Sequence, residues 1–560
     1  MQRRLVYLPD QNSNMRRTPL PTLLLVFLSI HGLMAQAPNV ILGRPTDKTM
    51  TASLLAARDM DAVLEYGPAS GRYDSTLANI NMTAGKPSVV EIRNLSPNTR
   101  YHYRLRYRYP PLTAYASTPE YSFHTQRRQG SSFTFTVESD EHLYDKKGIR
   151  SMYQVVLDNQ AADKPDFMLS LGDTFGDDHD PLNITSQELA QLHLDYRPFL
   201  GTVCHSIPFL FCLGNHEGEN SYYLGINPPS NLAVQGTLWR KYYYPNPQPD
   251  GFYSGNAQQE PYGIGYPQNY YAWHWGDALF VVLDVYRYQG AGDPKPQEWD
   301  WSLGRAQYDW LKATLSGSTA RYKFVFAHHI RGQGRGGVTN SKLYEWGGFN
   351  GDGKTYGFDV YRPGWGKPIH ELFKDYGVSI FFQGHDHLFA QEVRDNIVYQ
   401  AVPMAADSTY EIGVLANANA YLTNTVMGTG HIRVTVTPEC TKVDFVRAWL
   451  PKDTAAGGRK NGETAFTYSV GPCSVTSVSN LSVEGSTGIR AYPNPAADWI
   501  RVEWKESAQV SDPRLYDLTG REVGRFVNKQ MNVGHLPNGP YYIRYVNKGI
   551  PSSIPVQIQR

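Results

Sequence analysis

Six apolar runs of strand length, at 133–137, 167–171, 208–213, 279–283, 322–327 and 378–383, constrain what this chain can fold into. Helical patterns at 149–157, 187–200 and 306–315 lie between several of them. That alternation predicts an α/β sheet covered on both faces. Five of the runs stop at polar groups: Asp140-Glu141-His142, Gly172-Asp173, Gly214-Asn215-His216-Glu217, His328-His329 and Gly384-His385-Asp386-His387. Ligands collect at the carboxyl ends of strands in such sheets, so residues far apart in sequence can converge. Residues i and i+2 on extended chain share a face, which predicts Asp140 beside His142 and His385 beside His387, all pointing inward. Carboxylate, amide and imidazole donors suit Mn, Fe or Zn better than the softer thiolate-bound metals.

Any one of these fragments, met alone, reads as a solvated turn or a helix cap. Five in this order, each closing an apolar run, closely resemble the calcineurin-like metallophosphoesterases over most of the middle of the chain. The resemblance implies a four-layer α/β/β/α sandwich with a dinuclear metal site. It implies that Asp140, His142 and His387 hold one ion, that Asn215, His328 and His385 hold the other, and that Asp173 bridges them. Two cations roughly 3.5–4 Å apart repel unless anions lie between them, which suits a bridging carboxylate. The ions would lower the pKa of a shared water, giving hydroxide at neutral pH for attack on a phosphate ester. His216 matches the family's proton donor to the leaving group.

The Val325-x-x-His328 spacing is similar to the purple acid phosphatase branch and favours His328 over His329 as the ligand. That branch's iron-binding tyrosine would stand three residues after Asp173, where this chain has Gly176, and its first motif lacks a histidine such as His142. A tyrosinate-iron centre is therefore not expected, and metal identity among Mn, Fe and Zn stays open. Other branches place a partner for the acid at that third position, where Asp177 and Asp178 are the candidates here. His329 and Arg331, just after the fourth motif, are candidate substrate contacts, as is Arg335 in the same loop.

The flanking regions are all-β in pattern. In 38–128, Tyr101, Tyr103, Leu105 and Tyr107 alternate with His102, Arg104, Arg106 and Arg108, the period of a half-buried strand. The preceding Leu95-Ser96-Pro97-Asn98-Thr99-Arg100-Tyr101 resembles the tyrosine corner of fibronectin type III and related immunoglobulin-like sandwiches. The phosphoesterase-like region runs over 131–474 and a Ser/Val/Thr-rich linker over 475–487. Residues 488–560, with Tyr492-Pro493-Asn494-Pro495-Ala496 and Leu536-Pro537-Asn538-Gly539, resemble the C-terminal sorting domain of type IX secretion. That implies a small β-sandwich read by outer-membrane export machinery. At the other end, Arg16 and Arg17, an apolar run and the small residues Ala35 and Ala37 read as a signal peptide, 1–35. A secreted or cell-surface protein with no transmembrane span after cleavage follows.

Two glycine patterns are weighed and set aside. Gly348 to Thr355 matches a phosphate-binding loop, but Tyr356, Gly357 and Pro363 give it poor helix material to cap. Gly332-x-Gly334-x-x-Gly337 lacks a surrounding βαβ unit ending in an acidic residue. The Tyr-, Pro-, Asn- and Gly-dense stretch 222–271 reads as a long irregular insertion. Of four cysteines, Cys440 and Cys473 lie on late β-like segments where they could staple a hairpin, and pairing is left open.

Composition excludes other classes. With 53 Lys and Arg against 52 Asp and Glu, the chain is no polycation, and no nucleic-acid partner is expected. Aromatic residues at 13% can fill large cores, which excludes global disorder. The expected function is a secreted phosphatase acting on phosphorylated small molecules. The alternatives are a phosphodiesterase, nucleotidase or pyrophosphatase with the same site, or a non-catalytic cell-surface binding protein.

Overall fold

The computed structural model describes residues 36–143, 148–175, 184–288, 298–330, 335–412, 420–421, 424–454, 459–471, 489–493, 496–504, 510–517, 521–547 and 550–559. The expected signal segment, Gly176, Asp177, Asp178, Arg331 and Cys473 lie outside them.

Two mixed sheets make the middle of the chain. The first has six strands in the order Phe209–Phe211, Met168–Ser170, Phe133–Glu138, Gly430–Val436, Thr441–Arg447 and Thr464–Val470. The second has eight and runs through Ala278–Val282, Tyr322–Phe326, Ile380–Gln383 and Ile397–Ala401, which are mutually parallel. Side-chain alternation explains how they stack. Phe135 and Val137 on one sheet and Phe280, Phe324 and Phe326 on the other share one buried core. The Phe135 and Phe280 rings meet edge-on, 5.0 Å between centroids.

The opposite faces are covered by helices. Met168, Phe209 and Phe211 pack under Arg150–Asp163 and Ser186–Leu200 through Tyr153, Val156, Tyr196 and Leu200. On the second sheet, Leu279, Val281, Val325 and Phe381 pack under Arg305–Ser316 and Ile369–Asp375. The layers are therefore α/β/β/α, as expected. The start of Ser186–Leu200 is fixed locally: Thr185 and Glu188 form a reciprocal capping box.

The stretch 222–271 departs from expectation. It holds a 12-residue helix, Leu232–Tyr243, capped by Asn231, whose side chain accepts the Val234 N–H at 2.8 Å. Its apolar stripe is short and is masked in sequence by the surrounding Tyr, Pro and Gly. The glycine-rich segment at 348–355 is a turn closed on Asp352, and the next helix, Phe358–Tyr361, has only four residues. Cys204 and Cys212 are free and buried, whereas Cys440 is disulfide-bonded.

Ahead of this unit, two antiparallel sheets enclose a core of Leu54, Leu64, Tyr103 and Leu105. The Tyr101 hydroxyl accepts the Ser96 N–H at 2.9 Å. Buried Arg197, on the helix Ser186–Leu200, reaches this β-domain: it donates to Ser53 O at 2.8 Å, Ser53 Oγ at 2.9 Å and Asn39 Oδ1 at 3.1 Å. Among the described residues from 489 onward, seven strands form two small sheets around Ile500, Val502, Leu515, Ile543 and Ile558. No helix among the described residues is long and apolar enough to cross a membrane.

Candidate metal centre

The five motifs converge at the carboxyl ends of the strands, with the first sheet contributing three and the second two. The local reason differs from the extended geometry read in the sequence. Asp140, His142, Asp173, His385 and His387 all have positive φ, between 42° and 64°. These non-glycine residues sit in the left-handed region, a cost that recurs where a site over-determines the backbone. The paired residues converge because each motif turns sharply, and not because they share one face of a strand. Two preceding glycines permit the close approach. A Cβ on Gly384 would stand 2.0 Å from Ser139 Oγ, and one on Gly214 would stand 2.1 Å from Asp173 Oδ1.

Three overlapping groups result: Asp140 with His142 and His387, Asp173 with His328 and His385, and His142 with Asp173 and His216. Within each, the candidate ligand atoms lie within 4.8 Å of one another. His328 Nε2 is 3.2 Å from Asp173 Oδ2, from Asn215 Oδ1 and from His385 Nδ1. Its Nδ1 donates to Leu171 O at 2.9 Å, which fixes the tautomer and aims Nε2 inward. Asp140 Oδ1 is buried and accepts no hydrogen bond of good geometry. Three imidazole nitrogens surround it, His387 Nε2 at 3.3 Å, His142 Nε2 at 3.8 Å and His328 Nε2 at 3.9 Å. A buried carboxylate oxygen that faces several imidazole nitrogens and accepts no hydrogen bond of good geometry is suited to a cation.

Electrostatics agree. Burial raises the Asp140 pKa, but the nearby His387 and His328 outweigh it and bring it down to about 2. Asp173 is likewise held well below the carboxylate range, with His328 and His216 overcoming its burial. Burial opposes a charge on His328, yet Asp173 and Asp140 raise its pKa to about 9. Burial, then His329, His328 and Arg335, push His385 well down. The cluster is a set of anions and imidazoles that divalent ions would balance.

His216 stands apart in exposure. Its side chain is 17% accessible, against 3% or less for His142, His328 and His387. Its backbone N–H donates to Asp173 Oδ1 at 2.8 Å. His329, expected at the substrate, is fully buried, with Nε2 3.7 Å from Asp386 Oδ2 and its ring 5.0 Å from that of His385. It lines the interior behind His385 and is closed to solvent. The residue that sequence reasoning missed is Glu217. Its carboxylate accepts the N–H groups of Asp173 at 3.0 Å, Thr174 at 2.7 Å, Phe175 at 3.1 Å and Gly214 at 2.5 Å. One buried anion thereby holds the second and third motifs together, and only its place directly after His216 hinted at that.

The calcineurin-like phosphoesterase family matches residues 133–389, the span that carries every one of these motifs. This chain carries a calcineurin-like phosphoesterase domain. The phosphoesterase domain is a phosphoric ester hydrolase domain, and its buried His and Asp groups are of the kind that hold divalent metal ions. Residues 490–555 match the secretion system C-terminal sorting domain, which implies export through type IX secretion machinery. No curated relative matches the sequence. Among solved structures, a purple acid phosphatase from yellow lupin (Lupinus luteus) seeds is similar at 13% identity and a TM-score of 0.51, over 78% of this chain and 74% of its own. The structure of PhoD is similar at 16% identity and 0.53, over 87% of this chain and 92% of its own. At these identities both likenesses speak to fold.

Proposed function

We infer that this chain is an exported, dinuclear metal-dependent phosphatase acting on phosphate monoesters. The observation that carries the reading is buried Asp140 Oδ1, which accepts no hydrogen bond of good geometry and is ringed by three imidazole nitrogens. Asp140, His142 and His387 would hold one ion and Asn215, His328 and His385 the other, with Asp173 between them. The donor set fits Mn, Fe or Zn. When bound, such ions supply an activated water and neutralise phosphoryl charge. The protein's own part is to fix that geometry. Leu171 O orients His328, and Ser139 and the His385 N–H hold Asp140 Oδ2 at 2.5 and 2.9 Å. His216, the accessible imidazole of the group, would donate the proton to the departing ester oxygen.

An N-terminal signal peptide and the C-terminal sorting domain would serve as two successive addresses, and the β-domain at 38–128 is read as a fibronectin-type spacer. The test is direct. Chelator-stripped protein should be inert toward p-nitrophenyl phosphate and regain hydrolysis with Mn, Zn or Fe. A chain that hydrolyses no phosphoester with any of these ions would remove the reading. Intact-mass measurement of protein from the host's surface or medium should find both ends trimmed, and full-length protein as the major form would count against both addresses.

A further inference from the structure

Arg335 places a permanent cation beside the centre. Arg335 Nη1 donates to the main-chain oxygen of His385 at 2.6 Å and lies 3.4 Å from Asp386 Oδ1. Its backbone is held from two sides: Asn340 Nδ2 donates to Arg335 O at 2.7 Å, and the next N–H, Gly336, donates to Asp386 Oδ2 at 2.7 Å. Val338 N–H then donates to Glu392 Oε2 at 2.7 Å, tying down the following turn. Among the described residues the guanidinium is anchored through one nitrogen, and 30% of the side chain is accessible.

Its charge is only partly cancelled. The Asp386 carboxylate, fully buried, is shared with Gly336 N–H, the Tyr421 hydroxyl and the neighbouring His329. The 3.4 Å separation from Arg335 is long for a charge-assisted hydrogen bond. A guanidinium has five donors in a rigid fork. Anchoring by Nη1 leaves the rest of the fork for an oxyanion next to His385.

Resting on the phosphatase reading, we propose that Arg335 binds the phosphoryl group of the substrate and selects monoester dianions over diester monoanions. A monoester carries close to two negative charges at neutral pH, a diester one. A fixed cation adjoining the metal-holding residues favours the former, and the alkylated oxygen of a diester offers no charge there. Arg335 would be a specificity residue, distinct from the general acid His216.

The test compares the metal-loaded wild type with Arg335→Ala and Arg335→Lys on p-nitrophenyl phosphate and bis(p-nitrophenyl) phosphate, together with metal content and calorimetric binding of inorganic phosphate. Arg335→Ala should keep its metal, raise KM for the monoester about 10- to 100-fold, the worth of a charge-assisted hydrogen bond, and weaken phosphate binding alike. The diester should lose less, so that the monoester preference narrows by about tenfold or more, and Arg335→Lys should recover part of it by keeping the charge without the fork. Equal losses on both substrates, no loss, or loss of metal would overturn the assignment. If the wild type hydrolyses neither ester, the phosphatase reading fails by itself. Phosphate binding then decides for Arg335: weakening in Arg335→Ala sustains its anion-binding role, and unchanged binding overturns it.

Discussion

Asp173 receives the backbone N–H of His216 on Oδ1 at 2.8 Å and faces the His216 Nε2 with Oδ2 at 3.8 Å. One carboxylate thus positions the imidazole through its own main chain while remaining the shared anion of the cluster. The two residues should separate by experiment. Asp173→Ala removes that anion and should lose both metal and activity. His216→Gln should keep near-wild-type metal and lose about 10²–10⁴ in rate, the usual worth of a general acid. The deficit should shrink for aryl phosphates, whose leaving groups need little protonation. Metal loss in His216→Gln, or full activity on alkyl phosphates, would refute the acid role.

Glu217 predicts a stability effect without a chemical one. Four backbone N–H groups converge on its carboxylate, and Glu217→Gln turns an amide N–H₂ toward some of them. Unfolding free energy should fall by about 1–3 kcal/mol, the cost of buried polar groups left mismatched. Metal affinity should weaken with it, because the Asp173 backbone is one of the four. Denaturant titration with and without metal reads both, and a wild-type midpoint in the variant would show that the cage carries no load.

The contact of the phosphoesterase domain with the β-domain ahead of it includes a buried cation, Arg197. Arg197→Met keeps much of the aliphatic stem but withdraws the donors to Ser53 O and Oγ, to Asn39 Oδ1 and to Tyr243 O, the last at 2.7 Å. A loss of about 2–4 kcal/mol is expected from several carbonyls deprived of partners at once. Limited proteolysis between the two domains should accelerate in parallel. Unchanged cleavage and melting would mean that the other contacts between them, such as the Tyr103 hydroxyl on His205 O at 2.6 Å, suffice without Arg197.

Acid sensitivity has an identifiable contributor away from the metal centre. His193 is fully buried, stacks on Phe175 at 4.9 Å and gives its Nδ1 proton to Leu189 O at 2.7 Å. Burial lowers its pKa to about 4. The unfolded chain, with a histidine pKa near 6.5, therefore binds the proton first as pH falls. Stability from neutral His193 is whole above about pH 6.5 and is lost progressively toward pH 4, on the order of 3 kcal/mol in all. His193→Phe, which keeps the stacking, should show a flatter fall over that window in pH-dependent denaturation. Parallel curves for the two proteins would rule this group out.

The phosphoesterase-like order of motifs, the strand-end placement of Asp140, Asp173, Asn215, His328 and His385, and the sorting domain were legible from sequence by itself. Apolar period, run length and motif spacing are local properties of a chain, and strands that end in a sheet bring their last residues together whatever lies between. Tertiary structure alone decided the rest. The adjacent His328 and His329 have the same chemistry on paper. Only the carbonyl of Leu171 and the carboxylate of Asp386, each just past the end of another strand, turn one imidazole toward Asp173 and the other away. The left-handed backbone at Asp140 and His387, the N–H cage around Glu217 and the bonds of Arg197 to Ser53 belong to the same kind. Each is set by groups that meet through space across many residues, and no periodicity along the chain records such meetings.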